Sequence, residues 1–410
     1  MARDATIVVS LEGQFRLDDQ PAFDQAVTLA HRYPGDRLIV LACRPDAQRL
    51  RGPHQIRLAA AALASLRARL AAVGIPLLQC SQRSAAVVLA AQRWRLDPVA
   101  VLHCRESRLF DDWPLAAETF PRVFAAFRRG LSRSPEPQLA PADLEGLGAD
   151  WHDWPQPPPS PAPPERSGDP RSAFPFNGDE PNALARLQHY LFDTGGLRTY
   201  KTSRNGLVGS EFSSKFSPFL AVGSLSVRRI WQELLRYQNL HGADEGSEWM
   251  KQELLWREFF LWSEQRHGAA FHAPGGIQGR VLEQERDSSR DRERFRRWTR
   301  GASGHPLIDA QLNELLTTGY LSNRGRQWVA SHFVNELQLP WTWGARFFEW
   351  ALIDAHPALN SGNWAYLAGV GSDPRSFGGH PRRFDLARQV RLYDPGQSHR
   401  QLWSRPISPS

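Results

Sequence analysis

A chain of 410 residues is long enough for two domains, each with its own hydrophobic core. Apolar residues make up 41% of it and charged residues 23%, which excludes global disorder. The net charge of +7 permits attraction to polyanions without identifying one. Three cysteines, Cys43, Cys80 and Cys104, are too few for a four-thiolate metal site and indicate a reducing compartment. We expect no metal and no membrane contact. The apolar run at residues 6–11 is too short for a signal peptide, so we expect a cytoplasmic protein, and we expect it to be a monomer.

The first 130 residues alternate between strand-like and helical patterns. Four short apolar runs are strand-like: ATIVVSL, DRLIVLAC, IPLLQC and DPVAVLHC. Between the second and third runs, HQIRLAAAALASLRARLAAVG has leucine and alanine at helical spacing and ends at Gly74, a typical helix-ending residue. This alternation predicts a parallel, Rossmann-like three-layer α/β domain over residues 1–130. Neither glycine-rich phosphate-loop motif occurs there, so no nucleotide site is expected in this domain.

The next two regions differ in composition. Residues 131–185 contain WPQPPPSPAPPERSGDP, whose prolines exclude helix or sheet interiors, and we interpret them as a surface linker. Residues 186–410 are mostly helical in pattern and are predicted to form an all-α domain. Helix signals there include Ser217 before Pro218, Pro306 in a first turn and Gly319 after a last turn.

The segment EWMKQELLWREFFLW is apolar on nearly every helical face, which predicts a helix buried on all sides. Glu253 and Arg257 lie four residues apart on it, and so do Trp256 and Phe260. The simpler interpretation is a salt bridge within the helix beside core aromatics. The functional interpretation is a carboxylate and an indole that line a cavity.

Two further segments place polar groups at helical positions. In GYLSNRGRQWVASHF, Asn323, Arg326 and Gln327 form a stripe with Ala330, and the stripe either faces solvent or provides partners for a polar ligand. Ser213, Ser214, Lys215 and Ser217 precede a predicted helix start. Such a segment is either a serine-rich cap or a phosphate cradle of hydroxyls, backbone N–H groups and an ammonium.

Tryptophan is enriched in the C-terminal half. Eleven of the 15 tryptophans follow residue 230. Trp298, Trp341 and Trp364 fall in different predicted elements, and for each alone a place in the core is the ordinary interpretation. The run RVLEQERDSSRDRERFRRWTR alternates acids with arginines, which favours a solvated, salt-bridged helix over a nucleic-acid patch.

Four blocks carry a resemblance when taken together: YKTSRNGLVGSEFSSKFSPFLAVG, ELLWREFF, GYLSNRGRQWVAS and GNWAYLAGVGSDPR. In this order and at these separations they resemble the photolyase/cryptochrome family, most of all its cryptochrome DASH branch. The resemblance is strong from residue 186 to RLYDP and LWSRP near the end of the chain. Over the N-terminal domain it is weaker but consistent in order.

The resemblance implies an FAD inside the helical domain. The phosphate-side positions would be Tyr200 and the segment Ser213, Ser214, Lys215, Phe216 and Ser217, with Arg257 nearby. The ring-side positions would be Asn323, Arg326, Asp354, His356 and Asn360, where Arg326 and Asp354 pair and Asn360 faces flavin N5. A polar partner there influences which redox and protonation state the flavin holds. The family also uses antenna chromophores, and a folate such as methenyltetrahydrofolate is the candidate for this chain.

The resemblance also assigns an electron chain and a lesion pocket. Trp364, Trp341 and Trp298 would run from the flavin to the surface. DNA-side positions would be Arg204, Glu253, Trp256, Asn323, Arg324, Gln327 and Tyr366. In photolyases, light-excited reduced flavin donates an electron to a flipped-out cyclobutane pyrimidine dimer. Flipping costs least for a base that is already unpaired, which agrees with the single-stranded DNA preference of the DASH branch.

Some positions depart from the family pattern. The flavin loop usually reads D-x-D, but His356 stands at the second acid, and Ser361 stands where the DASH pattern has tryptophan. LEGQFRLDDQ replaces the usual motif of the antenna region, and three cysteines exclude the iron-sulfur branch. The main prediction is a light-driven enzyme that repairs pyrimidine dimers in single-stranded DNA. The alternatives are a blue-light photoreceptor or redox sensor that does not repair DNA, and a degenerate member without flavin.

Overall fold

The computed structural model describes residues 5–32, 37–43, 52–80, 97–115, 120–135, 138–140, 143–145, 147, 168–280, 288–374 and 382–404. Its N-terminal part contains a four-stranded parallel sheet in the order β3-β2-β1-β4. The strands are β1 (Ala5–Leu11), β2 (Arg37–Cys43), β3 (Leu77–Cys80) and β4 (Asp97–Cys104). Helices α1 (Pro21–Arg32) and α2 (Pro53–Ala72) connect strands. The predicted α/β fold is confirmed.

The apolar pattern of the sheet explains its burial. Ile7, Val8 and Val9 of β1 are fully buried because β1 is a central strand with a parallel neighbour on each side. Leu66 and Leu70 of α2 pack into the same core. Gly74 follows α2 with a φ of 72°, the left-handed conformation that favours glycine after a helix.

The proline-rich region is anchored at both ends. Helix α3 (Phe124–Gly130) precedes it, and Leu115 forms an isolated antiparallel bridge with Leu131. Leu144 and Phe174 are buried in the hydrophobic core, so parts of the interpreted linker pack rather than lie on the surface. Its most proline-dense stretch, residues 151–167, lies outside the described residues.

The C-terminal part of the chain is helical. Its helices are α4 (Glu180–Gln188), α5 (Tyr200–Ser203), α6 (Ser217–Ala221), α7 (Val227–His241), α8 (Glu245–His267), α9 (Ser289–Thr299), α10 (Pro306–Thr318), α11 (Asn323–Asn335), α12 (Trp341–Ala351), α13 (Pro357–Ala368), α14 (Leu386–Tyr393) and α15 (Ser398–Trp403). Pro306 opens α10 and Gly319 ends it with a φ of 72°, as predicted. Across the described residues, no helix combines the length and apolarity that a bilayer crossing would need.

Two sequence interpretations are wrong in detail. Ser217 is the first residue of α6, and the N-cap position belongs to Phe216, whose side chain makes no capping hydrogen bond. Of the two interpretations of Glu253 and Arg257, the salt bridge within the helix is wrong, since Glu253 pairs with Arg204 and Arg257 pairs with Glu106. By contrast, α9 is salt-bridged along its surface, as expected for an alternating charge pattern.

The loop after β1 joins the two domains. The Arg16 guanidinium is buried and donates to the carbonyl oxygen of Gly223 at 3.1 Å. The Asp19 carboxylate accepts hydrogen bonds from Ser226 and, at 3.0 Å, from Arg228. The paired residues are about 200 positions apart in the sequence, so the loop fixes the α/β domain against α7.

Candidate functional site

A cavity of about 440 Å³ lies inside the helical domain, within the size range of ligand and cofactor pockets. Its walls come from α5, α6, α8, α11 and α13, and Glu106, which follows β4, closes one side. The lining includes these residues named by the resemblance: Tyr200, Arg204, Ser213, Ser214, Lys215, Phe216, Ser217, Glu253, Trp256, Arg257, Asn323, Arg326, Gln327, Asp354, His356, Asn360, Trp364 and Tyr366. Arg324, Trp341 and Trp298 are not part of the lining.

The polar stripe of α11 faces the cavity rather than solvent. Asn323, Arg326 and Gln327 all line it together with Ala330, which supports the ligand interpretation of the stripe. The Arg326 Nη2 atom donates to both carboxylate oxygens of Asp354, at 2.8 and 2.9 Å. The Asp354 side chain is buried, so the paired charges are fixed by charge-assisted hydrogen bonds.

Asn360 stands on α13 at the cavity wall. Its Nδ2 atom donates to the carbonyl oxygen of Ala345 on α12 at 2.7 Å. The amide is therefore held by a neighbouring helix, as expected of a positioned ligand-binding group. The adjacent Ser361, where a tryptophan was expected from the DASH pattern, bonds its hydroxyl to Nδ1 of His272 at 2.9 Å.

The serine segment is organised by two buried cations. Arg186 donates to the carbonyl oxygens of Ser213 and Ser214 at 3.0 and 3.1 Å, which turns these carbonyls away from the cavity. Lys215 has a φ of 63°, and its buried ammonium donates to the Tyr320 hydroxyl at 3.0 Å. Burial lowers the pKa of Lys215 well below its ordinary value. Helix α6 has only five residues, so any phosphate cradle here rests on the segment itself, not on a helix dipole.

Another part of the cavity wall has an acid beside aromatic rings. Glu253 accepts from Arg204 and, at 3.0 Å, from the indole N–H of Trp249. Trp256 stacks on Phe124 at 3.9 Å and meets Tyr366 edge-on at 6.1 Å. This end offers a hydrogen-bonding carboxylate and two flat rings.

Arg324 lies behind the residues that line the cavity. Its guanidinium donates to the side-chain oxygen of Gln327 at 3.1 Å and to that of Asn205 at 2.7 Å. It also lies 4.7 Å from the ring centroid of Tyr393. Arg324 therefore positions Gln327, and a direct ligand contact for Arg324 stays a prediction.

The α/β domain contributes Glu106, which the sequence interpretation missed. Arg257 Nη2 lies 2.5 Å from one Glu106 oxygen, and His356 Nε2 lies 3.0 Å from the same carboxylate. Burial opposes ionisation of Glu106, but the charges of Arg257 and His356 outweigh it and hold the pKa of this carboxyl well below its usual range. The Nδ1 atom of His356 is buried, and no described residue forms a hydrogen bond with it. Glu106 follows the carboxyl end of a parallel strand, a common position for ligand-binding groups in such sheets, and this signal could have revealed it.

The tryptophans are buried more deeply than the resemblance implied. Trp364 lines the cavity and is 2% exposed, and Trp341 is 1% exposed. Trp298 is 0% exposed, so the surface position expected for it is wrong: aromatic side chains of α9, α11 and α12 enclose its ring. A role for Trp298 inside an electron chain stays a prediction.

Comparison with known proteins shows which family this chain resembles. The model described as the FAD binding domain of DNA photolyase matches residues 249–405. A cryptochrome DASH of Natronomonas pharaonis is 45% identical over 235 residues, covering 57% of this chain and 48% of that protein. One of Synechocystis is 39% identical over 297 residues, covering 72% and 59%. The chain thus matches between about half and three-fifths of the length of these relatives.

A solved structure decides the family. The crystal structure of a Synechocystis cryptochrome superposes with a TM-score of 0.84 at 30% identity, covering 98% of this chain and 89% of that one. The chain belongs to the photolyase/cryptochrome family. A class III photolyase from Agrobacterium tumefaciens, at 23% identity and a TM-score of 0.77, shares the fold of this family member.

The residues present fit the FAD of a photolyase/cryptochrome domain. The Arg326–Asp354 pair and the amide of Asn360 provide hydrogen-bonding groups for a polar ring, and Phe260 and Trp364 add apolar wall. At the other side, the hydroxyls of the serine segment face the same space. This combination of apolar lining and a few fixed polar groups is typical of cofactor sites.

Proposed function

We propose that the chain is a blue-light-dependent enzyme that splits cyclobutane pyrimidine dimers in single-stranded DNA. The observation that carries the proposal is one continuous cavity. Asn360 and the Arg326–Asp354 pair line one part of it, and Glu253 and Trp256 line another. A flavin and a flipped-out base would therefore share a single cavity.

At the flavin end, the residues act by binding and electrostatics. When bound, reduced FAD supplies the light-excited electron that opens the cyclobutane ring, and it takes the electron back afterwards. Asp354 is fixed by Arg326 and can accept a hydrogen bond from a ring N–H group without moving. Asn360 is held by α12 and presents its amide at the cavity wall.

At the DNA end, Glu253 and the aromatic rings recognise the lesion. Glu253 is about one-third exposed, with 32% of its side-chain surface open, and can accept hydrogen bonds from the N–H edge of a pyrimidine. Trp256 and Tyr366 meet edge-on and provide flat apolar surfaces against which bases pack. Arg204 stands at the same end, where its charge favours a nearby phosphate.

The proposed substrate form is single-stranded DNA bound by a cytoplasmic monomer. A dimer in a single strand needs no base-pair breakage before it enters the cavity, which lowers the cost of flipping. The net charge of +7 adds a salt-dependent attraction to the backbone.

The test is repair of a dimer-containing oligonucleotide by the reduced protein under blue light, with a Glu253→Gln variant. Removing the charge weakens hydrogen bonding to the lesion, so we expect at least about a tenfold lower repair rate. Glu248→Gln, an exposed position on the same helix, is the matched control and should repair normally. If the wild-type protein leaves the dimer intact in single strands, the proposed activity is rejected.

A second function, a photoreceptor or redox sensor, is favoured by one observation. Aromatic rings connect Trp364 at the cavity through Phe348 with the buried Trp298, so light could drive flavin reduction without DNA. A protein that photoreduces its flavin but fails the repair assay would support this function instead.

A further inference from the structure

We propose that Trp350 is the surface tryptophan at which the electron chain of this protein ends. The inference rests on the proposed flavin photochemistry and names a residue to which the family resemblance gave no role. It starts from the burial of Trp298 and Trp341, which leaves the expected chain without a terminus at the surface.

A buried indole is a poor final site for an electron vacancy. Loss of an electron leaves a cation, and an unpaired charge in a protein interior is costly. The Trp298 Nε1 atom is buried, and no group of the described residues accepts a hydrogen bond from it, so no acceptor in this part of the chain is placed to take its proton. Trp341 is also enclosed and donates its N–H to the carbonyl oxygen of Pro274 at 2.8 Å. The vacancy must therefore move to a hydrated indole to become long-lived.

Trp350 meets this requirement. It is 41% exposed, the only tryptophan among the described residues with more than about a third of its surface open. It stands in the last turn of α12, and Phe347, three residues earlier, lies on the same side of the helix. Water can hydrate its ring and receive its N–H proton.

Ring contacts lead from the cavity to Trp350. Trp364 lies 5.1 Å from Phe348 and 5.6 Å from Phe333, measured between ring centroids. Phe333 lies 4.5 Å from Trp298. On the other side, Trp298 lies 5.1 Å from Phe347, and Phe347 lies 6.0 Å from Trp350. Trp298 becomes an internal relay, and the phenylalanines fill the gaps between indoles.

The electrons balance as follows. Trp364 donates one electron to the light-excited flavin, Trp298 refills Trp364, and Trp350 refills Trp298. The oxidised Trp350 then loses its N–H proton to water, and a thiol in solution returns one electron and one proton to it; two of the thiyl radicals formed in this way combine to a disulfide. Arg292 and Arg346 line the same shallow surface depression as Trp350. Their positive charges favour proton loss from the oxidised indole and attract an anionic thiol.

Trp343 provides the matched comparison. It lines the same depression, is half-buried, and is reached from Trp298 through Phe295, at centroid distances of 6.0 and 5.4 Å. Its partial burial makes it the weaker site for a charge. A Trp343→Phe variant removes one indole from the same surface and leaves the route to Trp350 in place.

The experiment compares anaerobic photoreduction of the FAD-loaded wild type, Trp350→Phe and Trp343→Phe in the presence of an anionic thiol. We expect the rate to fall at least about tenfold in Trp350→Phe and to stay within about twofold in Trp343→Phe. Transient absorption should show that the long-lived tryptophan radical is lost in Trp350→Phe alone. Acrylamide quenching of tryptophan fluorescence in flavin-free protein should weaken only in Trp350→Phe. This result would show independently that Trp350 is exposed to solvent.

The outcomes separate the inference from the proposed function. Wild-type rates in Trp350→Phe, or a loss confined to Trp343→Phe, would overturn the exit at Trp350 while photoreduction itself stands. A wild-type protein that binds FAD but is not photoreduced would overturn the inference together with the proposed photochemistry. Repair by chemically reduced Trp350→Phe should equal that of the wild type, because the repair electron does not pass through Trp350.

Discussion

At the scale of single residues, His356 occupies a position where the family pattern has an acid. The structure gives the imidazole a partner from the other domain, because its Nε2 atom lies 3.0 Å from Glu106. Arg257 holds the same carboxylate, at 2.5 Å. The carboxylate missing from position 356 is thus present beside the cavity, carried by Glu106.

This arrangement predicts the effect of restoring the family residue. His356→Asp would place a second carboxylate next to Glu106, and two like charges in a buried site repel each other. We expect weaker FAD binding and a loss of about 1–3 kcal/mol in the free energy of unfolding at pH 7. Isothermal titration and denaturant unfolding measure the two quantities.

A second substitution isolates the cause. Adding Glu106→Gln to His356→Asp removes the repulsion, so the double variant should be more stable than the sum of the two single effects. Additive effects would show that His356 and Glu106 are not coupled.

The sequence predicted contacts between residues of the same motif better than contacts between residues from distant segments. Asn323 and Arg326 lie on one helical stripe, so 3.6-residue periodicity placed them together. Glu106 and Arg186 approach the site from the other domain and from α4. Periodicity does not show these contacts: the contact of Glu106 with Arg257 exists only after the two domains pack, and the contacts of Arg186 with the serine segment join residues 27 and 28 positions apart.

At the scale of elements, α8 joins the core to the cavity. Its residue Glu258 is fully buried and accepts a hydrogen bond from the backbone N–H of Leu109 at 2.9 Å. Burial raises the pKa of Glu258 to about 7, although the charge of Arg257 acts in the opposite direction. The sequence predicted this helix and its burial, but the α/β-domain partner of Glu258 could not be read from it.

The raised pKa predicts a pH-dependent stability. Between the ordinary carboxyl range and about pH 7, the folded protein holds a proton on Glu258 that the unfolded chain has lost. The folded state therefore binds more protons, and stability should fall as the pH rises through this window. Glu258→Gln should reduce this decrease in stability. The measurement is the free energy of unfolding at pH values from 5 to 8.

The control for this prediction is Glu248→Gln, an exposed carboxylate of the same helix, which should keep the wild-type slope. Glu106 does not confuse the result, because its lowered pKa affects stability only at acidic pH, below this window. An unchanged slope in Glu258→Gln would mean that another group titrates.

At the scale of the whole molecule, the loop after β1 packs the α/β domain against the helical domain. From its sequence, LEGQFRLDDQ, we predicted only a departure from the family's usual motif in the antenna region. In the structure, Asp18 pairs with Arg229, and Asp19 is buried against Ser226 and Arg228 of the helical domain. Sequence reasoning identified both domains from their periodicity, whereas this contact depends on residues about 200 positions apart.

The buried carboxylate gives a prediction for the domain interface. Asp19→Asn leaves Arg228 without its buried counter-charge, so we expect a loss of about 3–5 kcal/mol. Urea unfolding followed by tryptophan fluorescence reports on the helical domain, which holds most of the tryptophans. Asp24→Asn, an exposed position on α1, is the control. An unchanged midpoint in Asp19→Asn would show that the domains fold independently of this contact.

The central claim is that flavin and dimer occupy one cavity. The most direct measurement is the fluorescence lifetime of the reduced flavin in the FAD-loaded protein, in the presence of single-stranded oligonucleotides. A bound dimer accepts the excited electron, so we predict a shorter lifetime with a dimer-containing strand and no change with the undamaged strand of the same sequence. Equal lifetimes with saturating amounts of both strands would contradict the account.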